Sequence, residues 1–76
     1  MRKDVTVIGD INPVKLQGSE EGYSYKLLQV IDTNFVAYSI TNPMGVCKML
    51  QLTPDGVSEL ISSPKMFWFK YVAPHT

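Results

Sequence analysis

The sequence predicts a mainly β, α+β fold: about five antiparallel strands with one short helix before the last of them. Three observations carry that expectation. Short β-branched or alternating runs recur between clusters of Gly, Pro, Asn and Asp, the pattern of strands and turns. One segment near residue 55 instead carries the residues of a helix start followed by apolar positions at helical spacing. At 76 residues the chain holds a single core, so residues 1–76 form one domain.

Residues 5–8 (VTVI) make a first strand that Gly9 and Asp10 end. Residues 11–22 (INPVKLQGSEEG) are the longest irregular stretch, punctuated by Pro13, Gly18 and Gly22. Within it residues 14–17 (VKLQ) alternate enough to pair briefly. Ser19-Glu20-Glu21 reads as a solvated turn, with an acidic recognition loop as the alternative. Residues 23–31 (YSYKLLQVI) alternate and then become apolar on both faces, which predicts a strand half exposed at its start and covered at its end. Asp32-Thr33-Asn34 makes a tight connection to the next strand, residues 35–41. Asn42-Pro43-Met44-Gly45 has the type I turn signature, so residues 46–52 return antiparallel.

Thr53-Pro54-Asp55-Gly56-Val57 is the strongest local signal. Thr53 caps with its hydroxyl, Pro54 fits the first helical position, and Asp55 meets the positive end of the helix dipole. Leu52 and Val57 are spaced as a hydrophobic staple. Val57, Leu60 and Ile61 then form the stripe that packs on the sheet, and Ser62-Ser63-Pro64 stops the helix.

Residues 65–73 (KMFWFKYVA) read as the final strand. Two architectures satisfy this order: an open sheet with the helix on one face, or a small closed barrel in which the helical turn bridges the last two strands. The element order of the barrel is similar to that of SH3-like barrels, a resemblance of order without a shared motif. The sequence favours the open sheet.

In a strand, Phe67, Phe69 and Tyr71 share one face, and Met66, Trp68, Lys70 and Val72 share the other. One short helix covers only one face of a sheet, so a second apolar face is left over. Lys70 keeps its ammonium in water, which turns Phe67, Phe69 and Tyr71 inward and Met66, Trp68 and Lys70 outward, beside Met49. Trp, Met and long basic side chains are enriched where proteins meet partners. The expected partner-binding set is therefore Met66, Trp68, Lys70 and Met49, with Trp68 as anchor, facing another protein or a second copy of this chain. The alternative is that residues 11–16 fold over this face and make Trp68 core.

Composition bounds the function. Seven basic and seven acidic side chains cancel, so no overall field draws the chain towards nucleic acid or an anionic membrane. Charged residues make up only 18% against 45% hydrophobic, which is below the roughly 25% charge of ordinary soluble domains and leaves apolar surface uncovered. The single Cys47 forms no internal disulfide. Polar residues interrupt any apolar run behind Met1-Arg2-Lys3, and no stretch is long and apolar enough for a membrane span, so a cytoplasmic protein without a signal peptide is expected.

His75 is expected to be a solvated tail residue, Cys47 a buried small hydrophobe, and Asp55 and Glu59 solvated helix carboxylates. No glycine-rich phosphate loop is present. No catalytic residue, metal or cofactor is expected. The chain reads as a small non-enzymatic protein-binding module, an adaptor, subunit or inhibitor of the kind that phages encode. The alternative is a small β-barrel that stacks single-stranded nucleic acid between Lys26, Lys48, Lys65 and Lys70 and the rings of Tyr23, Tyr25 and Trp68.

Overall fold

In the computed structural model, which describes residues 4–12 and 18–75, the strands form one antiparallel sheet. They are β1 (Val5–Asp10), β2 (Gly18–Glu20), β3 (Tyr23–Val30), β4 (Val36–Thr41) and β5 (Cys47–Leu52), in the spatial order β1-β5-β4-β3-β2. Four run six to eight residues, and β2 is a three-residue addition at one edge. β1 and β2 stand at opposite edges, so the sheet is open and the barrel alternative falls. A barrel needed a last strand to bridge those edges, and the segment expected to supply it is helical. The expected pairing of residues 14–17 lies outside the described residues.

Side-chain chemistry sets the turns. Glu21 and Gly22 both take positive φ, 50° and 87°, the pattern of a two-residue hairpin loop whose twist suits the flanking strands. The Asp32 carboxylate accepts from the backbone N–H of Asn34 (2.7 Å) and Phe35 (3.0 Å), closing the loop between β3 and β4. Asn42 does the same for Met44 and Val46, and the Gly45 N–H donates to the Asn42 carbonyl at 3.0 Å, as the turn signature requires.

The helix start at Thr53 is as the sequence predicts. α1 (Pro54–Ser62) has Pro54 in its first turn, and the Thr53 hydroxyl accepts from the Gly56 N–H at 3.3 Å. Leu60 is fully buried, yet Ile61, expected in the core stripe, is half exposed.

The chief correction concerns residues 65–73, which are helical. α2 (Pro64–Phe67) leads into one π-helical turn (Trp68–Val72) and a 3-10 turn (Ala73–His75). Ser63 caps it by accepting from the Met66 N–H at 3.2 Å, with Pro64 at the first position, repeating the Thr53-Pro54 device. The buried residues are Pro64, Phe67, Trp68, Tyr71 and Val72, spaced i, i+3, i+4, i+7 and i+8, which is a helical stripe and not a strand face.

Both helical segments lie on one face of the sheet. The core between them holds Val5, Tyr38, Ile40, Leu50 and Leu52 from strands and Leu60, Phe67, Trp68, Tyr71 and Val72 from helices. The opposite face carries Ser24, Ala37, Ser39, Thr41 and Cys47, all buried. The second large apolar face expected from a strand at 65–73 is therefore absent from these central positions. The end of β3, expected to be covered, is open instead: Val30 and Ile31 are exposed, beyond a bulge at Leu28 that shifts the pairing with β4.

Candidate functional site

The helical stripe that buries Phe67, Trp68 and Tyr71 necessarily turns Met66, Phe69 and Lys70 the other way. Met66 is 71% exposed and Phe69 56%. Phe69 leans on Tyr23, ring centroids 5.8 Å apart. Between this segment and α1 runs a groove of about 310 Å³. Phe67 and Tyr71 line its floor, with ring centroids 4.8 Å apart. Ser58, Glu59 and Ser62 of α1 form one wall, with Ser63 at the junction, and Met66 and Lys70 form the other.

The groove's polar end is a fixed network. Glu59 accepts from the Tyr71 hydroxyl and from the Lys70 ammonium, the latter at 3.3 Å. That ammonium also lies 5.2 Å from the Tyr71 ring centroid. The Tyr71 hydroxyl first, and the Glu59 carboxylate second, hold the Lys70 pKa above its ordinary value. The widened turn from Trp68 to Val72 changes the angular step along the helix, and within it lie both Lys70 and Tyr71, the two donors to Glu59.

A second clasp fixes the near end of the segment. One oxygen of Glu20, at the end of β2, accepts from the Ser63 hydroxyl (2.6 Å) and the Lys65 N–H (3.2 Å). Those two bonds, the hydroxyl's first, pull its pKa down. Lys65 Nζ pairs with Glu21 at 3.0 Å, and that hydrogen bond raises the lysine's pKa. Ser19-Glu20-Glu21, read as a solvated turn, therefore ties the sheet edge to the C-terminal helix.

Of the expected partner-binding set, the structure brings together only Met66 and Lys70. Trp68 is 6% exposed and packs against Tyr23 at 6.2 Å, so it is core and not a surface anchor. The physical reason is the period: helical geometry sends residue 68 inward with 64, 67, 71 and 72. Met49 is half-buried on the helix-free face, in register with Ser39 of β4. Phe69, expected inward, is the exposed ring that strand reasoning missed; helical spacing from Met66 identifies it.

Among the described residues, most of those expected to stack nucleic acid are otherwise engaged, Lys26 excepted. Tyr25 packs on Tyr38 at 6.1 Å. Lys48, Lys65 and Lys70 each pair with a carboxylate, of Asp10, Glu21 and Glu59 respectively. Cys47 is buried opposite Thr41, and the His75 side chain lies outside the described residues. Among the described residues, no group of three His, Cys, Asp or Glu side chains could hold a metal ion, and no helix is long and apolar enough to cross a membrane.

Two other surfaces stand out. A groove of about 290 Å³ at the open end of the sheet is lined by Leu27, Val30, Phe35, Val36, Tyr38 and Val57, with Thr33, Asn34 and Pro54 at its edges. On the helix-free face the hydroxyls of Ser24, Ser39 and Thr41 are buried without hydrogen-bond partners among the described residues, each costing roughly 1–3 kcal/mol if left so. Compared with known proteins, the chain matches no family model, no curated sequence and no solved structure, so a functional reading rests on the chemistry of these surfaces.

Proposed function

We propose that this chain is a non-enzymatic protein-binding module whose contact surface is the groove between α1 and the C-terminal helix, walled by Met66 and Lys70, together with the exposed Phe69 ring of the same segment. The observation that carries the reading is the exposure of Met66 on the wall of a groove floored by Phe67 and Tyr71, with Phe69 exposed on the same helical segment against Tyr23. Large apolar side chains held out of a packed core on rigid elements, next to a concavity, are the anatomy of an interface centre, and Lys70 with Glu59 supplies a polar rim. The charge-poor composition supports the same reading. Binding of this kind works by occlusion or tethering and needs no chemistry from the chain, which is how an adaptor, subunit or inhibitor acts. Met66 and Phe69 take over the role that the sequence suggested for Trp68.

The test places the photo-crosslinking residue p-benzoylphenylalanine at position 66, and separately at position 55, in cells that make the protein. The reading expects a discrete adduct from position 66, lost on competition with the parent chain, and none from position 55, which is exposed at the start of α1. An adduct twice the mass of the chain identifies a second copy as the partner, and any other discrete mass a different protein. Equal, diffuse labelling from both positions refutes the groove as a contact surface.

A further inference from the structure

The polar end of the helical groove holds two opposite charges on unequal terms. Among the described residues that line it, Glu59 is the one carboxylate and Lys70 the one cation. Glu59 is anchored: its side chain is 36% exposed and accepts from the hydroxyl of Tyr71, whose ring is part of the core. Lys70 is loose: its side chain is 57% exposed and its ammonium stands 3.3 Å from Glu59, beyond the roughly 2.7–2.9 Å of a well-made ammonium–carboxylate bond. The fixed charge of the groove is therefore negative, and what neutralises it is a cation on a flexible stem.

Lys70 thereby marks what the position takes. Its ammonium lies 5.2 Å from the Tyr71 ring centroid as well as beside Glu59, so the place it occupies combines a carboxylate with an aromatic ring. A guanidinium suits both better than an ammonium does: it pairs with a carboxylate through two parallel N–H bonds and stacks on aromatic faces. Displacing Lys70 costs little, because exposed ion pairs contribute little and the released ammonium regains its water. The groove, about 310 Å³, is at the small end of ligand-sized cavities, the scale of a side chain rather than of an inserted helix. Met66 and Phe67 give apolar cover to the stem of such a side chain. The Ser62 hydroxyl on the facing wall donates to the Ser58 carbonyl at 2.8 Å, which leaves its oxygen to accept a further N–H.

We propose that the groove takes an arginine side chain of the partner protein, with its guanidinium on Glu59 and over the Tyr71 ring, its stem along Met66 and Phe67, and Lys70 swung out into water. The inference rests on the groove being the contact surface, and it adds the chemistry of the occupant. A partner carboxylate would meet the fixed Glu59 as a like charge, and a lysine would do no more than exchange one ammonium for another.

The experiment titrates the protein with n-butylguanidinium, n-butylammonium and neutral n-butylurea at constant ionic strength, followed by amide NMR. Saturable shifts centred on Glu59, Met66 and Tyr71 are expected with the guanidinium, weaker binding with the ammonium, and no saturation with the urea. Glu59→Gln should weaken the guanidinium about tenfold or more, the scale of a lost charge-assisted bond. Lys70→Met should instead strengthen it about two- to fivefold by removing the competitor, a gain that a merely structural ion pair does not produce. Lys70→Met keeps the carboxylate, so it decides the matter if Glu59→Gln fails to fold. Equal binding of the urea would mean an apolar groove without charge recognition, and an ammonium as tight as the guanidinium would mean unselective ion exchange. Unchanged or weaker binding by Lys70→Met would mean that Lys70 holds no place for a partner's cation. Each of these three results overturns the assignment. Photo-crosslinking from position 66 in the Glu59→Gln chain separates the proposal from the reading it rests on. Loss of the adduct at an unchanged melting temperature supports the arginine; its persistence overturns the arginine and keeps the groove as the contact surface. No discrete adduct even with Glu59 in place overturns both.

Discussion

Replacing Gly56 with alanine sets two effects of known size against each other. Gly56 lies in the first turn of α1 with no positive φ, so alanine is conformationally allowed and, by intrinsic propensity alone, favoured by roughly 1 kcal/mol. A Cβ at this position, however, would sit 2.5 Å from the carbonyl oxygen of Asp4 and 3.4 Å from Leu52 Cβ. An ordinary C···O approach is about 3.3 Å, so the start of β1 and the start of α1 must part by about 0.8 Å. That carbonyl accepts from the Thr53 N–H at 3.1 Å, and the Asp4 carboxylate accepts from the Thr53 hydroxyl at 3.0 Å. Losing or stretching two such bonds costs about 1 kcal/mol each, and overpacking adds roughly 1–3 kcal/mol. After the propensity gain, the net loss is about 2–4 kcal/mol, a fall in melting temperature of roughly 10–25 °C for a domain of this size. Thermal and urea unfolding, followed by circular dichroism, measure it. A melting temperature equal to or above the parent's would refute the close approach of β1 to the helix start.

Trp68→Ala should destabilise by about 3–5 kcal/mol, because the ring is in the core; an exposed anchor would instead leave stability within roughly 0.5 kcal/mol, and urea titration separates the two. Gly22→Ala meets a φ of 87° and Pro43 side-chain atoms at 3.0 Å, and should lose about 1–2 kcal/mol for the left-handed conformation alone; an unchanged urea midpoint would contradict the positive-φ hairpin loop. The Glu20 pKa is lowered in the fold by its bond to the Ser63 hydroxyl and then the Lys65 N–H, so its contribution is complete above the unfolded value of about 4.3 and fades as pH falls through the folded value. Glu20→Gln should therefore flatten the acid limb of a stability-against-pH curve relative to the parent, and parallel curves would sink the clasp.

Much of the sheet was legible because its signals are local. Asp32 and Asn42 advertise their turns, the β-branched runs mark strands, and Thr53-Pro54 announces α1. The C-terminal segment was misread because KMFWFKY satisfies two periods at once. Aromatic and β-branched residues have strand propensity, and period two divides the run plausibly, yet positions 64, 67, 68, 71 and 72 fit period 3.6 just as well. What decides between them is the cap: Ser63-Pro64 repeats the Thr53-Pro54 signature, so it starts a second helix as well as ending the first. The expected anchor followed that choice of period, so Trp68 moved to the core and Phe69 to the surface, while Met66 and Lys70 kept their outward places. The buried hydroxyls were not legible at all, since Ser and Thr on a strand ordinarily mean solvent, and only the register shows that they gather on one face.

The strand order also carries an expectation about folding. β2 to β5 form a meander whose neighbours in space are neighbours in the chain, and such pairings close short loops at little entropic cost. β1 is different: its Val5 finds Leu52 almost at the far end of the sheet's sequence. Yet the residue just before it, Asp4, holds both ends of the Thr53 cap. Pairing of β1 is thus also the contact that locks the start of α1 and joins the two layers; if it forms after the meander, perturbations there should raise the unfolding rate while leaving the folding rate nearly untouched.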